Sequence, residues 1–522
     1  MRHIALKLRA ARLVPIACAL ALTFIVAYAT PSAQQAPAAA TKKALTVDDY
    51  TKWKSLSGQE MSADGKYVAY IVQSTNVPTT ETKPVLHLQN LETGAEVTVA
   101  DATGNAFSSD AKWIAYTVEP AAAGRGGRGA RGGAAPAADA PAPTQDAGRA
   151  GAPATPVVPR HTELRNLATG EIKSWQDIQS FTFSANATHL LLRRRAPQGA
   201  AGAGRAGAAA DAAPAGGGAG AAAAATPAGP RGVDVTVHNL TTGKDQLLGS
   251  VADAAFNKVG DLLAYDVDAA TKDSNGLFVM DLKTNRIFPL DNDAKNYNRL
   301  TWNDKGTALA VLKGLDVDKM REKNNVLMVY TDVKAALVDT NAPAPIVLDP
   351  AKAAGVPKDW VLSERATLDW SDDGQRVFLG MKPQVPAPVT ARKNADTDAD
   401  VDIWSTSDER IQSAQMTRAE QDRNFTFREA FDANAKKFVL LADETMRELD
   451  IAADGTWAIG RDTRGYISDF KPPMADIYRV NTSTGARTLI TKGHLLGAGT
   501  LGEYFGHHSY RRPAAWGRHD AV

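Results

Sequence analysis

The hydrophobic and polar positions of this chain follow a ten-residue pattern that occurs seven times. In the first copy, residues 61–70 read MSADGKYVAY, which is an apolar anchor, a polar turn containing Asp-Gly and an alternating apolar run. This pattern predicts a tight turn that leads into a β-strand. The other copies are residues 107–116, 183–192, 256–265, 302–311, 370–379 and 451–460.

The turn in each copy needs a residue that tolerates a positive φ angle. Glycine adopts this conformation without steric cost. Two copies have Ala at that position, after Asp110 and Asn186, and there we expect the Asp or Asn to take the left-handed conformation. The glycines of the other five copies are Gly65, Gly260, Gly306, Gly374 and Gly455.

A second pattern follows every copy of the first. It consists of an alternating strand, a turn of the Asn/Asp-x-x-Thr-Gly type and another apolar strand. The clear members begin at Leu86, Thr162, Val235 and Leu277, and weaker ones begin at Val326, Phe427 and Asp476. Each repeat therefore contains two hairpin turns, which predicts a four-stranded antiparallel unit.

The repeat length indicates the fold class. From Met61 to Phe107, and again from Phe256 to Trp302, the period is 46 residues, within the range of propeller blades. One such unit cannot cover both of its faces, so neighbouring units must stack. We therefore predict an all-β protein, a β-propeller of about seven four-stranded blades over residues 45–493, whose ring either closes or is left incomplete at the C-terminus. The alternative is a β-sandwich with similar hairpins.

The N-terminus has the features of an export signal. Basic residues precede an apolar run, and Ala27-Tyr28-Ala29 fits a small-x-small cleavage site. We expect residues 1–29 to be a signal peptide, or else an uncleaved anchor, and residues 30–44 to be a disordered leader. Cys18, the only cysteine, lies inside this signal. A periplasmic or secreted protein without disulfides is the resulting expectation.

The segment between the leader and the first repeat is expected to be helical. Residues 45–57 read LTVDDYTKWKSLS. In this helix Leu45, Tyr50 and Trp53 are expected to face inward.

Three blades contain long inserts, and all three lie between the first and second patterns of their repeat. We expect low-complexity inserts at 121–159 and 196–231, and a polar insert at 380–424 whose end forms a short helix. Since the inserts occupy the same connection, they must emerge on the same face of the propeller.

Composition and motifs exclude several functions. With 59 basic and 58 acidic residues, the net charge of +1 gives no reason to expect nucleic acid or a membrane surface as a partner. The Arg/Gly tract at 124–133 lacks aromatic residues for base stacking. The carboxylates of 396–402 lack the Gly and Glu of a calcium loop. The histidines near the C-terminus, His494, His507, His508 and His519, match no zinc spacing.

Nucleophilic catalysis has no support in the sequence. The Gly-x-Ser-x-Gly turn of hydrolases is absent, and Ser509, in GHHSYRR, has no Gly after it. We therefore predict no catalytic, cofactor-binding or metal-binding residue, and no cofactor.

The repeats resemble known families. Their aromatic-Ser-x-Asp-Gly-Lys-x-apolar-Ala-Tyr pattern is similar to the WD40-like repeats of TolB and to the blades of prolyl oligopeptidase-like (S9) serine peptidases. The entry LTVDDYTKWKSLSGQEMSADGKYVAY and the insert VDIW…DERIQ resemble exported bacterial peptidases of that kind. The resemblance covers residues 45–492.

The peptidase resemblance implies a propeller that restricts entry to short peptides, followed by an α/β-hydrolase domain with a Ser-Asp-His triad. Here residues 494–522 depart from the pattern, as an out-of-frame tail would, so no catalytic residue is carried over.

The first hypothesis is that the chain is the substrate-gating part of such a peptidase, truncated, inactive alone and acting with a separately encoded hydrolase. The alternative is an exported TolB-like module that binds a protein or peptide. A third, weaker hypothesis is a metal-dependent enzyme whose site lies in the propeller.

Overall fold

The computed structural model describes residues 45–77, 82–119, 160–196, 231–338, 344–387, 405, 408, 410–468 and 471–496. The signal, the leader, most of each insert and the C-terminal tail lie outside these ranges. Antiparallel strands are the main secondary structure of the described part. None of the helices within it is long and apolar enough to span a membrane.

The strands are numbered in chain order. The first three repeats contain β1 (Lys54–Met61), β2 (Tyr67–Ser74), β3 (Val85–Asn90), β4 (Glu96–Ala100), β5 (Ala102–Phe107), β6 (Trp113–Val118), β7 (His161–Asn166), β8 (Ile172–Gln176), β9 (Ile178–Phe183), β10 (His189–Arg194), β11 (Val233–Asn239) and β12 (Asp245–Phe256). The next two contain β13 (Leu262–Val267), β14 (Gly276–Asp281), β15 (Arg286–Asp291), β16 (Asn296–Trp302), β17 (Leu309–Gly314), β18 (Val326–Tyr330) and β19 (Ile346–Leu348). The last two contain β20 (Trp360–Leu362), β21 (Asp369–Trp370), β22 (Arg376–Pro383), β23 (Phe427–Asp432), β24 (Lys437–Val439), β25 (Glu448–Ile451), β26 (Trp457–Asp462), β27 (Met474–Asn481) and β28 (Arg487–Leu495).

The helical segments are short. Among the described residues, two are α-helices, α1 (Val333–Val338) and α2 (Gln412–Asn424), and three are 3-10 turns at Val47–Lys52, Lys272–Ser274 and Arg464–Tyr466. The predicted short helix at the end of the third insert is α2.

These strands form the seven blades of a β-propeller. Blade 1 is β1–β4, blade 2 is β5–β8, blade 5 is β16–β19 and blade 7 is β25–β28, each paired in chain order. Blades 3 (β9–β12) and 4 (β12–β15) share the long strand β12, which pairs with β11 in its first half and β13 in its second. In blade 6 (β20–β24) the first strand is interrupted, so both β20 and β21 pair with β22.

A Ser or Asn side chain holds the turn between the first and second strand in blades 1 to 6, whereas blade 7 has Ala452 at that position. In blade 6, Ser371 Oγ donates to Asp373 and accepts from the Arg376 amide at 3.0 Å. In blade 5, Asn303 takes the same position, and its Oδ1 accepts from the Thr307 and Ala308 amides at 2.9 and 3.0 Å. In both turns, one side-chain oxygen is the hydrogen-bond acceptor for backbone amides of the turn.

The expectation for the turns without glycine is wrong. The left-handed residues there are Ala111, with φ of 55°, and Ala187, with φ of 53°. Asp110 instead uses its carboxylate to accept from Ser108 Oγ and from the Lys112 amide. Because this side chain fixes the loop, the strained position falls on the residue after it.

Each blade also joins its two hairpin turns by one backbone hydrogen bond. The amide that follows the third strand donates to the carbonyl just before the second strand, at 2.7–3.3 Å. The pairs are Leu91–Lys66, Leu167–Lys112, Leu240–Thr188, Leu282–Asp261, Val333–Thr307, Ala433–Gln375 and Thr482–Thr456. Both turns of every blade therefore lie at the same end.

Six hydrophobic clusters connect consecutive blades from the first to the seventh. Between blades 2 and 3, for example, Leu164 packs with Ile178, Leu190 and Leu192, all at most 1% exposed. Burial of one such side chain stabilises by about 1.5–3 kcal/mol. The core of this protein is thus a series of interfaces between sheets.

Among the described residues, 45–56, 72–77 and 82–83 belong to a separate compact unit. The prediction of an inward-facing helix at 45–57 is wrong, because the helical segment ends at Lys52 and β1 begins at Lys54. Leu45, Tyr50 and Trp53 are 70%, 50% and 44% exposed. Tyr50 and Trp53 stack on each other, with ring centroids 4.5 Å apart.

Asp49 is the buried anchor of this unit. Its carboxylate accepts from the amide and the hydroxyl of Thr46, at 3.0 Å each. Hydrogen bonds between Thr46 and Asp49 therefore hold the start of this segment, where packing of a hydrophobic face had been expected.

Candidate functional site

Of the groups that the sequence drew attention to, His494 alone lies among the described residues. His494 is exposed near the end of β28. The carboxylates of 396–402, the Arg/Gly tract and the residues His507, His508, Ser509 and His519 lie outside the described residues. Within the described ranges, no three His, Cys, Asp or Glu side chains are grouped to hold a metal ion.

The candidate site lies at one end of the blades. Antiparallel pairing places the connection from the second to the third strand opposite the two hairpin turns, and the long inserts leave and return there. We call this end of the blades the insert end. Charged residues flank each insert at the strands that carry it: Glu119 and Arg160, Arg195 and Arg231, and Lys382 and Arg423.

At the first insert, Arg160 Nη1 forms an ion pair with Glu119, and Arg195 Nη2 of the next blade lies 3.9 Å from the same carboxylate. Burial and the nearby Arg195 are among the causes that lower the pKa of Arg160. A depression of about 680 Å³ beside this group has Asp177, Arg194, Arg195 and Asp234 among its lining residues. Two positive and two negative charges line it, so it does not select for ligand charge.

At the second insert, Arg231 bridges three blades. Its Nε donates to Asp268 at 2.9 Å, Nη2 lies 3.6 Å from Asp266, and Nη1 donates to Asn298 Oδ1 of blade 5. Asp266 is fully buried, and burial raises the pKa of its carboxyl to about 8 despite Arg231. Burial alone would also raise the pKa of Asp268, but hydrogen bonds from Lys272 and Arg231 hold it below its usual value.

The bridge continues into blade 6 through Glu364. Asn298 Nδ2 donates to Glu364 Oε1 at 2.7 Å, and Lys323 Nζ lies 2.8 and 3.1 Å from the two carboxylate oxygens. Arg299 Nε donates to the main-chain carbonyl of Glu364 at 2.6 Å. Both oxygens of this carboxylate are therefore neutralised by groups other than Arg299.

Another buried carboxylate, that of Glu322, lies near the start of the third insert. It accepts from Ser363 Oγ at 2.9 Å and from Arg365 Nε at 3.1 Å, and Lys382 Nζ lies 3.6 Å away. Burial would raise the pKa of Glu322, but the bonds from Arg365 and Ser363 lower it. Burial lowers the pKa of Lys382, whose ammonium donates to the Arg423 carbonyl at 2.5 Å.

Arg299 is the residue that sequence reasoning missed. It has φ of 59° at a bulge in β16, where the register to β17 shifts between Asn298 and Thr301. The position lies four residues before the Asn of the repeat. Aligning the copies would have revealed it, because blades 1 and 2 have Gly58 and Gly104 there, both left-handed.

The insert end therefore carries a network of paired charged groups. Guanidinium, ammonium and carboxylate groups of blades 3 to 6 hold one another in fixed positions, and first-strand residues, which border the central channel of a propeller, take part. The long inserts connect to the strands at this same end.

The comparisons with known proteins concern the fold. No family model matches the chain, and no curated protein matches it. Acylaminoacyl peptidase from Pyrococcus horikoshii is similar over 85% of this chain and 53% of its own, with 11% identity and a TM-score of 0.31. The β-propeller domain of the Trilobed protease from Pyrococcus furiosus matches over 84% of this chain and 99% of its own, with 10% identity and a TM-score of 0.31.

TolB from Acinetobacter baumannii matches over 84% of both chains, with 12% identity and a TM-score of 0.26. The chain spans about half the length of the acylaminoacyl peptidase. It is thus similar to propellers of S9 peptidases and to TolB.

Proposed function

We propose that this chain is the propeller part of a prolyl oligopeptidase-like serine peptidase and that it admits short peptides to a hydrolase domain. The observation that carries the proposal is the combination of seven stacked blades with a charged insert end. The entry and insert motifs of the sequence support the peptidase assignment. We also propose that the protein is exported, on the strength of its N-terminal signal.

The alternative is a TolB-like binding module that holds a protein or peptide partner without a hydrolase. Its basis is the repeat pattern, which the two families share. The first function requires that the chain associates with a hydrolase, and the second does not. Association with a hydrolase is therefore the property to measure.

The test uses the purified chain, a fluorophosphonate probe and the product of a neighbouring reading frame with Gly-x-Ser-x-Gly. We expect the probe to label the second protein and not this chain, and the two proteins to co-elute in size-exclusion chromatography. Labelling of this chain would show that it has its own nucleophile and would contradict the proposal. A labelled hydrolase that never associates with the chain would favour the binding module.

A further inference from the structure

We propose that Arg299 and Arg365 form a binding site for the C-terminal carboxylate of a peptide. The inference rests on the proposed function, since it names the chemical group by which the propeller would recognise a peptide. The site lies at the insert end, between the first strands of blades 5 and 6.

The backbone of Arg299 is the first observation. A left-handed conformation is unfavourable for any residue with a Cβ atom, and long side chains rarely adopt it. At the equivalent positions of blades 1 and 2 the chain has glycine, with φ of 59° at Gly58 and 62° at Gly104. An arginine at this position costs stability, and strained residues of this kind cluster at binding sites.

The unused hydrogen-bond donors are the second observation. Arg299 donates through Nε to the Glu364 carbonyl, and Arg365, the next residue after Glu364, donates through Nε to Glu322. In the part of the chain that is described, neither arginine uses Nη1 or Nη2 in a hydrogen bond or an ion pair. Arg299 thus reaches the carbonyl of the residue that precedes Arg365, and the terminal nitrogens of both guanidinium groups remain available for hydrogen bonds.

The charge balance is the third observation. The carboxylate of Glu364 is occupied by Lys323 and Asn298, and that of Glu322 faces both Arg365 and Lys382. The positive charge of Arg299 consequently has no carboxylate among the described residues. The Arg365 side chain is 30% exposed, so a ligand can reach it while salt screens the interaction only partly.

A planar carboxylate suits this arrangement. Guanidinium groups bind carboxylates through parallel N–H bonds, and two of them can hold both oxygens. Because each Nε is fixed to a protein acceptor, the guanidinium planes lose little freedom when a ligand binds. We assign the site to the α-carboxylate that every unmodified peptide has.

The experiment compares binding of two peptides to the purified full chain by isothermal titration calorimetry at low salt. The peptides are Ala-Ala-Ala with a free carboxylate and the same peptide as its C-terminal amide. We expect the acid to bind at least tenfold more tightly than the amide. Acetyl-Ala-Asp-Ala-amide, which carries only a side-chain carboxylate, should bind like the amide.

Two variants and a matched control test the residues. Arg299→Gly should reduce the affinity for the acid at least tenfold, leave the amide unchanged and raise Tm by about 1–2 °C, because the backbone strain is relieved. Arg365→Gln should reduce the affinity for the acid without the rise in Tm. Lys436→Gly is the control, since Lys436 is a left-handed cation with φ of 52° in the turn between β23 and β24. It should raise Tm and leave both affinities unchanged.

The outcomes separate this inference from the proposed function. If the chain binds acid and amide equally, or if Arg299→Gly retains the preference for the acid, the carboxylate site is wrong while a peptide-admitting propeller stands. If the chain binds neither peptide, both are wrong. If Asp-containing amide binds as tightly as the acid, the site recognises side chains and the assignment to the C-terminus is overturned.

Discussion

At the residue scale, the blades depend on side chains that take over backbone hydrogen bonds and on residues held at positive φ. Gly65 and Ala111 occupy equivalent turn positions, with φ of 71° and 55°. A Cβ added at Gly65 would have no atom within 4 Å. The cost of an alanine in this turn is therefore conformational strain and not a steric clash with neighbours.

Ala111→Gly and Ala187→Gly are each expected to stabilise the protein by about 0.5–1 kcal/mol, because the strain removed exceeds the entropy that glycine adds to the unfolded chain. Urea unfolding followed by circular dichroism measures the change. The reverse substitution, Gly65→Ala, should destabilise by a similar amount. Stabilisation by Gly65→Ala would contradict the role of φ.

Asn303 of blade 5 has the role that Ser has in blades 1, 2, 3 and 6. Asn303→Ala is expected to destabilise by about 1–3 kcal/mol, because the Thr307 and Ala308 amides lose their acceptor. Asn303→Ser should recover part of this loss in the same urea experiment, since Ser371 performs the task in blade 6. Equal stability of the Ala and Ser variants would show that the side-chain acceptor is unimportant.

Glu429 makes stability depend on pH. It is fully buried, its Oε2 accepts from the Leu441 amide at 2.5 Å, and its Oε1 has no hydrogen-bond partner among the described residues. Burial raises the pKa of this carboxyl to about 9. The pKa of Glu429 is higher in the folded protein than in the unfolded chain, so folding is favoured when this carboxyl is protonated. The contribution of Glu429 to the unfolding free energy is therefore complete below about pH 4.5 and is lost as the pH rises toward 9.

Glu429→Gln should therefore flatten the decline of the unfolding free energy between pH 5 and 9, and at pH 8 stabilise by about 1–3 kcal/mol. Urea midpoints across this pH range measure the effect. An unchanged slope in the variant would mean that Glu429 is ionised in the folded protein.

At the element scale, the repeat pattern predicted the strands well because each blade has the same two hairpins. It failed where an element departs from the repeat. The connection after β18 contains α1, the first strand of blade 6 is split into β20 and β21, and β12 serves two blades. Local sequence does not encode these features, since neighbouring strands decide them.

The long connections are predicted to be dispensable for folding. In blade 2, Val118 and His161 are paired residues of β6 and β7, so a short turn is enough to join these strands. Replacing residues 121–158 with Gly-Asn-Gly should change the unfolding free energy by less than about 1 kcal/mol. A loss of several kcal/mol in urea unfolding would show that the insert packs on the blades.

At the scale of the whole molecule, the all-β propeller was predictable from hydrophobic periodicity, and the site was not. The repeats specify that each blade buries its faces against the next, as the cluster of Leu164, Ile178 and Leu190 illustrates. The charge network joins residues far apart in sequence, such as Arg231 with Asn298 and Arg299 with Glu364. Such pairs depend on the order of blades in space, which no single motif encodes.

The central claim is that this propeller admits short peptides, and the length dependence of ligand binding tests it most directly. Calorimetric titration of the purified chain would compare Ala-Ala-Ala with reduced, carboxymethylated lysozyme, an unfolded protein. We expect saturable binding of the tripeptide and none of the long chain. Binding of the long chain without binding of the tripeptide would contradict this claim and identify a module for protein partners.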